Sequence, residues 1–255
     1  MKHVTNHSNR NFAAATATIL LLAAGAIQAQ APVQPVADRP ALDIQEQSVR
    51  YLEELDVLVF EQRLAGSPET AVPEPAGGLD GAPVLGYVFP TTLSPKAVGF
   101  GEVEGILALA ATSHPDFDDT PLWDEGVTGR YDDDGAIWHA HWVVLGKDER
   151  VAGGLSTIEF DEGDSPVLPP TNPGMNLYLD SPGFNIVVRD DTLRVVVPAY
   201  RVSNNIDFRF DAVTAYMEVN TSDPDRPMLG VYKVYDVASG DLSLPFEVEA
   251  PGNSD

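Results

Sequence analysis

The chain has 255 residues, no cysteine, and 39 acidic against 15 basic residues, which gives a formal net charge of −24 at neutral pH. A protein this acidic repels nucleic acid and anionic lipid and attracts cations. The lack of cysteine excludes disulfide bonds, thiolate metal ligands, a cysteine nucleophile and the lipidated cysteine of a lipoprotein.

Residues 1–31 have the features of a secretory signal peptide. Lys2 and Arg10 stand in a polar stretch without acids, an apolar run follows at 12–27, and small residues at 29–31 fit the cleavage rule. The apolar run is shorter than the roughly 20 residues that a membrane-spanning helix needs. We therefore expect signal cleavage, a periplasmic or secreted protein, and no membrane insertion afterwards. Loss of the two basic residues would change the formal charge from −24 to −26.

Residues 32–65 are predicted to form an extended tether followed by one amphipathic α-helix. The glutamates between Leu42 and Leu64 fall mostly opposite the apolar positions, as on a helix with one buried face. The apolar positions are Ile44, Val49, Leu52, Leu55, Leu58, Val59 and Leu64. Residues 66–83 combine glycine, proline, alanine and acids, which predicts a linker.

Residues 84–248 are predicted to form a mainly β domain. Short apolar runs are separated by Gly, Pro, Asp and Asn, and no helical pattern alternates with them. The candidate strands are 84–89, 105–113, 136–145, 155–160, 175–179, 184–188, 193–197, 208–219 and 229–234. This pattern is typical of an antiparallel β-sandwich or barrel. A hairpin turn is expected at 189–192, and residues 249–255 are expected to be a tail.

Every histidine after the signal lies within one short segment, and so does every tryptophan. These residues are His114, Trp123, Trp138, His139, His141 and Trp142. His139 and His141 fall in one candidate strand, where the two-residue period places both on one face, roughly 7 Å apart. The tryptophans of that strand would then face a core. His114 ends the preceding candidate strand, and pairing of the two strands would place it beside His139.

Three imidazoles can bind one metal ion and leave a fourth position open for water or substrate, as in catalytic zinc sites. Imidazole and carboxylate ligands without sulfur favour zinc or copper(II). A carboxylate from the loop between the two strands is an alternative ligand, as in the two-histidine, one-carboxylate sites of non-haem iron. The candidate acids are Asp116, Asp118, Asp119, Asp132 and Asp134.

The same loop, 116–134, has a second interpretation. Clustered carboxylates with glycines suit calcium, although the spacing is not that of an EF-hand. A solvated acidic loop with Asp-rich turns fits the sequence as well. Loops of about 20 residues within compact domains are usually functional or disordered.

The run His139-Ala140-His141-Trp142 resembles the His-x-His-Trp strand of the α-type carbonic anhydrases, which supplies two zinc ligands. That family takes its third histidine from a later strand, and no histidine follows His141 here. The resemblance therefore implies a strand that presents two metal ligands, without implying the carbonic anhydrase activity.

Three functions are compatible with these observations. The first is an exported metal-binding protein whose His-x-His strand lies beside an acidic loop. The second is a metal-dependent hydrolase or lyase that uses the same site. The third is a calcium-stabilised, non-catalytic ligand- or partner-binding β domain, in which Trp123, Trp138 and Trp142 form an exposed binding surface.

Overall fold

The short apolar runs form antiparallel strands, as the sequence predicts. The computed structural model describes residues 40–73, 79–115, 136–161 and 163–250. The strands are β1 Ile44–Leu52, β2 Val57–Leu64, β3 Pro83–Pro90, β4 Ile106–Pro115, β5 Ala136–Lys147, β6 Leu155–Thr157, β7 Leu179–Asp180, β8 Asn185–Arg189, β9 Thr192–Pro198, β10 Arg209–Phe210, β11 Val213–Val219, β12 Leu229–Val237 and β13 Phe246–Glu247.

Short 3-10 turns are the only helical structure in the described ranges. They are Pro40–Leu42, Glu53–Leu55, Pro68–Ala71, Pro95–Val98 and Ala199–Val202. None of the helices among the described residues has the length and apolarity needed to cross a membrane. The predicted signal (1–31), most of the tether and Trp123 lie outside the described residues.

Six strands close into an antiparallel barrel. The hydrogen-bonded order is β4-β3-β11-β12-β6-β5, and β4 pairs with β5 to complete the ring. The short strand β7 pairs with β5 at Trp142 and Val143. Closure removes the free edges of a sheet, which would otherwise offer unpaired backbone groups to other chains.

The barrel strands are buried on both faces, so their sequences are continuous apolar runs. All eight residues of β3 are buried. Val84 and Val88 face the barrel interior, whereas the alternate residues Leu85, Tyr87 and Phe89 face outward into a second core. This alternation follows from the two-residue period of a strand.

A four-stranded sheet, ordered β1-β2-β9-β8, covers the outward face of β3, β4 and β5. The space between the sheet and the barrel is filled by large side chains, and we call it the aromatic layer. Its fully buried rings are Phe60, Tyr87, Phe89, Trp142, Phe210 and Tyr216. The barrel and the sheet share no strand, and the aromatic layer between them is separate from the barrel interior.

The predicted helix at 42–64 is wrong, because these residues form the hairpin β1–β2. Leu58, Val59 and Phe60 are all buried, so β2 needs apolar residues on both faces, which a one-sided helix would not provide. The turn contains Glu53–Leu55 and then Asp56 in the left-handed region at φ 52°, which Asp tolerates better than most residues. Burial of β2 between β1 and β9 therefore outweighs the helical propensity of the glutamates and leucines in this segment.

The predicted hairpin at 189–192 is confirmed. Arg189 pairs with Thr192, and the two-residue turn between them places Asp190 at φ 56°. At the other end of the domain, Glu249 forms a parallel bridge with Arg50 of β1. The chain is therefore hydrogen-bonded to the outer sheet up to Glu249.

Candidate metal centre

The register of β4 and β5 brings the three histidines together at one end of the barrel. Thr112 pairs with His139 and Ala110 with His141, so His114 lies diagonally next to His139. All three histidines are an even number of positions from inward-facing residues of their strands, so they face the barrel interior as well. The pairing expected from the sequence is confirmed.

The imidazole rings surround a common point. The ring centroids of His114 and His139 are 4.9 Å apart, those of His139 and His141 are 5.9 Å apart, and those of His114 and His141 are 6.1 Å apart. One ligand nitrogen from each ring lies within 4.8 Å of the other two. In a tetrahedral zinc site with bonds of about 2.1 Å, ligand nitrogens are about 3.4 Å apart. The three nitrogens are close enough together that the cluster could hold a metal ion.

The cluster is buried to a degree that is unusual for histidine. His114 is 1% exposed, His141 4% and His139 5%. Neutral imidazoles are the form that binds metal.

Ser181 orients one of the candidate ligands. Its hydroxyl oxygen lies 3.0 Å from Nδ1 of His141, and the serine is itself buried. When Nδ1 carries the proton and donates it to Ser181, Nε2 keeps its lone pair for a metal ion. This residue was missed in the sequence, because it follows β7, 40 positions after His141, and no local pattern connects the two.

Asp180, next to Ser181, does not face the cluster. It pairs with Trp142 in register, accepts a hydrogen bond from the Thr171 hydroxyl at 2.6 Å, and lies 3.9 Å from the Arg201 guanidinium beyond β9. Burial raises the pKa of its carboxyl group, an effect that Thr171 and Arg201 only partly offset. The buried carboxyl group of β7 therefore lies on the outward side of the barrel and not beside the histidines.

The two described tryptophans of this segment also face outward. Trp142 is fully buried against Phe60, and Trp138 packs on Tyr87 with ring centroids 5.6 Å apart. The expectation that they face a core is confirmed, and an exposed binding surface containing Trp138 and Trp142 is wrong. They are large apolar side chains of the aromatic layer, on the opposite face of β5 from the histidines.

The acidic ligands proposed from the sequence lie outside the described residues. They are Asp116, Asp118, Asp119, Asp132 and Asp134. A carboxylate ligand and a calcium site in 116–134 both remain predictions. The segment that contains these acids joins the end of β4 to the start of β5, which is the end of the barrel where the histidines lie.

The site offers three buried imidazole nitrogen donors. Such a donor set suits zinc or copper(II), and it leaves room for a fourth ligand. In comparisons with known proteins, no family model, curated sequence or solved structure matches the chain.

Proposed function

We propose that this protein is an exported metal-binding protein that holds one divalent ion, zinc or copper(II), on His114, His139 and His141. The observation that carries the proposal is the convergence of three buried imidazoles, with ligand nitrogens within 4.8 Å of one another. One metal ion at the point where the three rings meet could bind a nitrogen of each.

The proposed export rests on the sequence of residues 1–31 alone. A periplasmic or extracellular location would allow a strongly acidic protein to take up cations without competition from nucleic acid. Expression of the full chain in a bacterial host, followed by N-terminal sequencing of the secreted or periplasmic form, tests the location. We expect the mature protein to begin after Ala31, or after Ala29. Full-length protein confined to the cytoplasm would contradict export.

Elemental analysis tests the metal directly. Purified wild-type protein is expected to retain close to one equivalent of zinc or copper per chain. The double variant His139→Ala/His141→Ala should retain none, because one imidazole alone binds weakly. Thr157→Val is a matched control, since Thr157 is also in the wall of the barrel interior but is not among the three histidines. Retention of calcium alone, unchanged in the double variant, would contradict the histidine site and favour a calcium-binding domain.

Catalysis by the same ion is a second candidate function. His114 and His141 both border a cavity in the barrel, so a substrate in that cavity would lie next to a bound ion. Zinc with three histidines and an open position lowers the pKa of bound water to about 7, which yields a hydroxide for hydrolysis or hydration. Metal-dependent hydrolysis of an activated ester, lost in His139→Ala, would support this role. Stoichiometric metal without any hydrolysis would leave a binding role.

A further inference from the structure

The barrel interior contains an apolar cavity of about 170 Å³ beside the candidate metal centre. Residues from all six barrel strands form its wall, including Val84, Ala110, Val143, Ala215 and Val231. His114 and His141 are part of the same wall. An ion on the histidines would therefore border the cavity directly.

The charge of such an ion would not be neutralised by the protein residues that are described. Three neutral imidazoles leave a divalent ion with its full charge, and no acidic side chain of the described residues lines the cavity. An unpaired charge in an apolar surrounding is strongly unfavourable. A ligand that reaches the ion from the cavity side would therefore bind more favourably as an anion, and a carboxylate is an anion that zinc and copper(II) bind readily in proteins.

The cavity sets the size and polarity of the rest of the ligand. An apolar cavity of about 150 Å³ stays dry and holds one benzene molecule. Apart from the two histidines, the polar side chains in the wall are those of Thr112 and Thr157, and the Thr112 hydroxyl donates to the backbone oxygen of His139 at 3.3 Å. A second charged group on the ligand would find no oppositely charged side chain among the described wall residues.

We propose that the barrel binds a small, apolar monocarboxylate of about the size of benzoate. The carboxylate occupies the open position on the metal, and the ring or branched alkyl group fills the cavity. This inference rests on the proposed metal site, and it assigns the ligand class of that site. It predicts selection by the tail, because short carboxylates leave the cavity empty and dicarboxylates bury a second charge.

The test uses the full chain loaded with cobalt(II), whose visible spectrum reports a change of inner-sphere ligand, at about 0.15 M salt to screen the acidic surface. Benzoate, acetate, glutarate and toluene are titrated in turn. We expect benzoate to change the spectrum and to bind at least about tenfold more tightly than acetate. Binding removes the ring of benzoate from water, whereas acetate has only a methyl group to bury. Glutarate should bind more weakly than benzoate, and toluene should leave the spectrum unchanged.

Two cavity variants make the test specific. Ala215→Leu fills the cavity from β11, which is not adjacent to the histidine strands β4 and β5, so it should abolish the preference for benzoate over acetate while cobalt stoichiometry stays at wild-type level. Val213→Ala enlarges the same cavity, and it should raise the affinity ratio of 4-methylbenzoate to benzoate by about fourfold, the gain for burying one methylene-sized group. The enlarging variant keeps the proposal testable if the filled barrel fails to fold.

The two proposals fail in distinguishable ways. Equal affinities for benzoate and acetate in a protein that holds stoichiometric metal would overturn the carboxylate proposal and leave the metal site standing. A benzoate complex that does not alter the cobalt spectrum would also overturn it, since the head group would then not be on the metal. Absence of any histidine-dependent metal would overturn both proposals.

Discussion

The two faces of β5 border interiors that differ in packing and in chemistry. Toward the outer sheet, Phe60 contacts Phe89 and Trp142 with ring centroids 5.3 Å and 6.3 Å apart, and all three side chains are fully buried. Toward the barrel axis, the same strand presents His139 and His141, and His141 borders a cavity of about 170 Å³. One strand therefore contributes to a filled aromatic core and to a cavity with polar groups at one end.

This difference separates stability from function. Close-packed aromatic rings bury the largest area per residue and add edge-to-face contacts, so they contribute most to folding. A cavity has the opposite effect, because the side chains around it lack packing partners on one side. A domain that fills one interior with side chains and leaves a cavity in the other is consistent with a ligand occupying that cavity.

The largest expected effect is in the aromatic layer. Phe60→Ala removes a fully buried ring that contacts Phe89, Trp142 and Phe208, and it should lower the free energy of unfolding by about 3–5 kcal/mol. Val231→Ala, in the wall of the barrel cavity, should cost clearly less, because it removes a smaller group next to existing space. Urea denaturation of metal-free protein measures both. Equal losses would contradict the contrast between the two interiors.

Metal addition should act on the barrel interior alone. An ion that binds only the folded state stabilises it by about 2.7 kcal/mol at a free concentration one hundred times its Kd. We expect this gain in wild-type protein and in Phe60→Ala, since the layer lies on the other face of β5 from the ligands. His141→Ala should gain nothing. Thermal denaturation with and without zinc checks the three proteins, and stabilisation of His141→Ala would place the ion elsewhere.

Ser181 should have a smaller effect that is confined to metal affinity. Its hydroxyl oxygen lies 3.0 Å from Nδ1 of His141, and removal of a group that orients a ligand typically weakens metal binding 10- to 100-fold. Ser181→Ala is expected at the lower end, about tenfold, because His114 and His139 remain. Competition with a chelator of known affinity measures the change. Ser181→Thr keeps the hydroxyl and should restore the affinity, whereas equal weakening in both variants would indicate a packing effect.

The alternation along β5 was predictable from the sequence, and the hairpin at 42–64 was not. A period of two assigns His139 and His141 to one face and Trp142 to the other without knowledge of the rest of the fold. For β1–β2, the spacing of apolar residues matched a helix by chance, and the decisive fact was burial of Val59 as well as Phe60, which depends on the distant strand β9. Ser181 and the closed barrel likewise depend on contacts between residues far apart in sequence.

The smallest expected effect lies outside both interiors, at Asp148 in the segment that joins β5 to β6. The Arg150 side chain, the Ser156 hydroxyl at 2.7 Å and the Arg150 backbone N–H hold the pKa of the Asp148 carboxyl well below its usual range. A lowered folded-state pKa contributes stability above the unfolded value near pH 4 and loses it as the pH falls toward the folded value.

Asp148→Asn should therefore cost about 1 kcal/mol at pH 7, because it loses hydrogen bonds to Arg150, a charged partner that is partly exposed. The difference between wild type and variant should shrink steadily below pH 4. Urea denaturation of metal-free protein at pH 7 and pH 3 measures it. Because Asp148 follows Lys147, at the end of β5 away from the histidines, the variant should keep wild-type metal affinity at pH 7. A pH-independent loss would mean that Asp148 acts through the shape of the turn rather than through its charge.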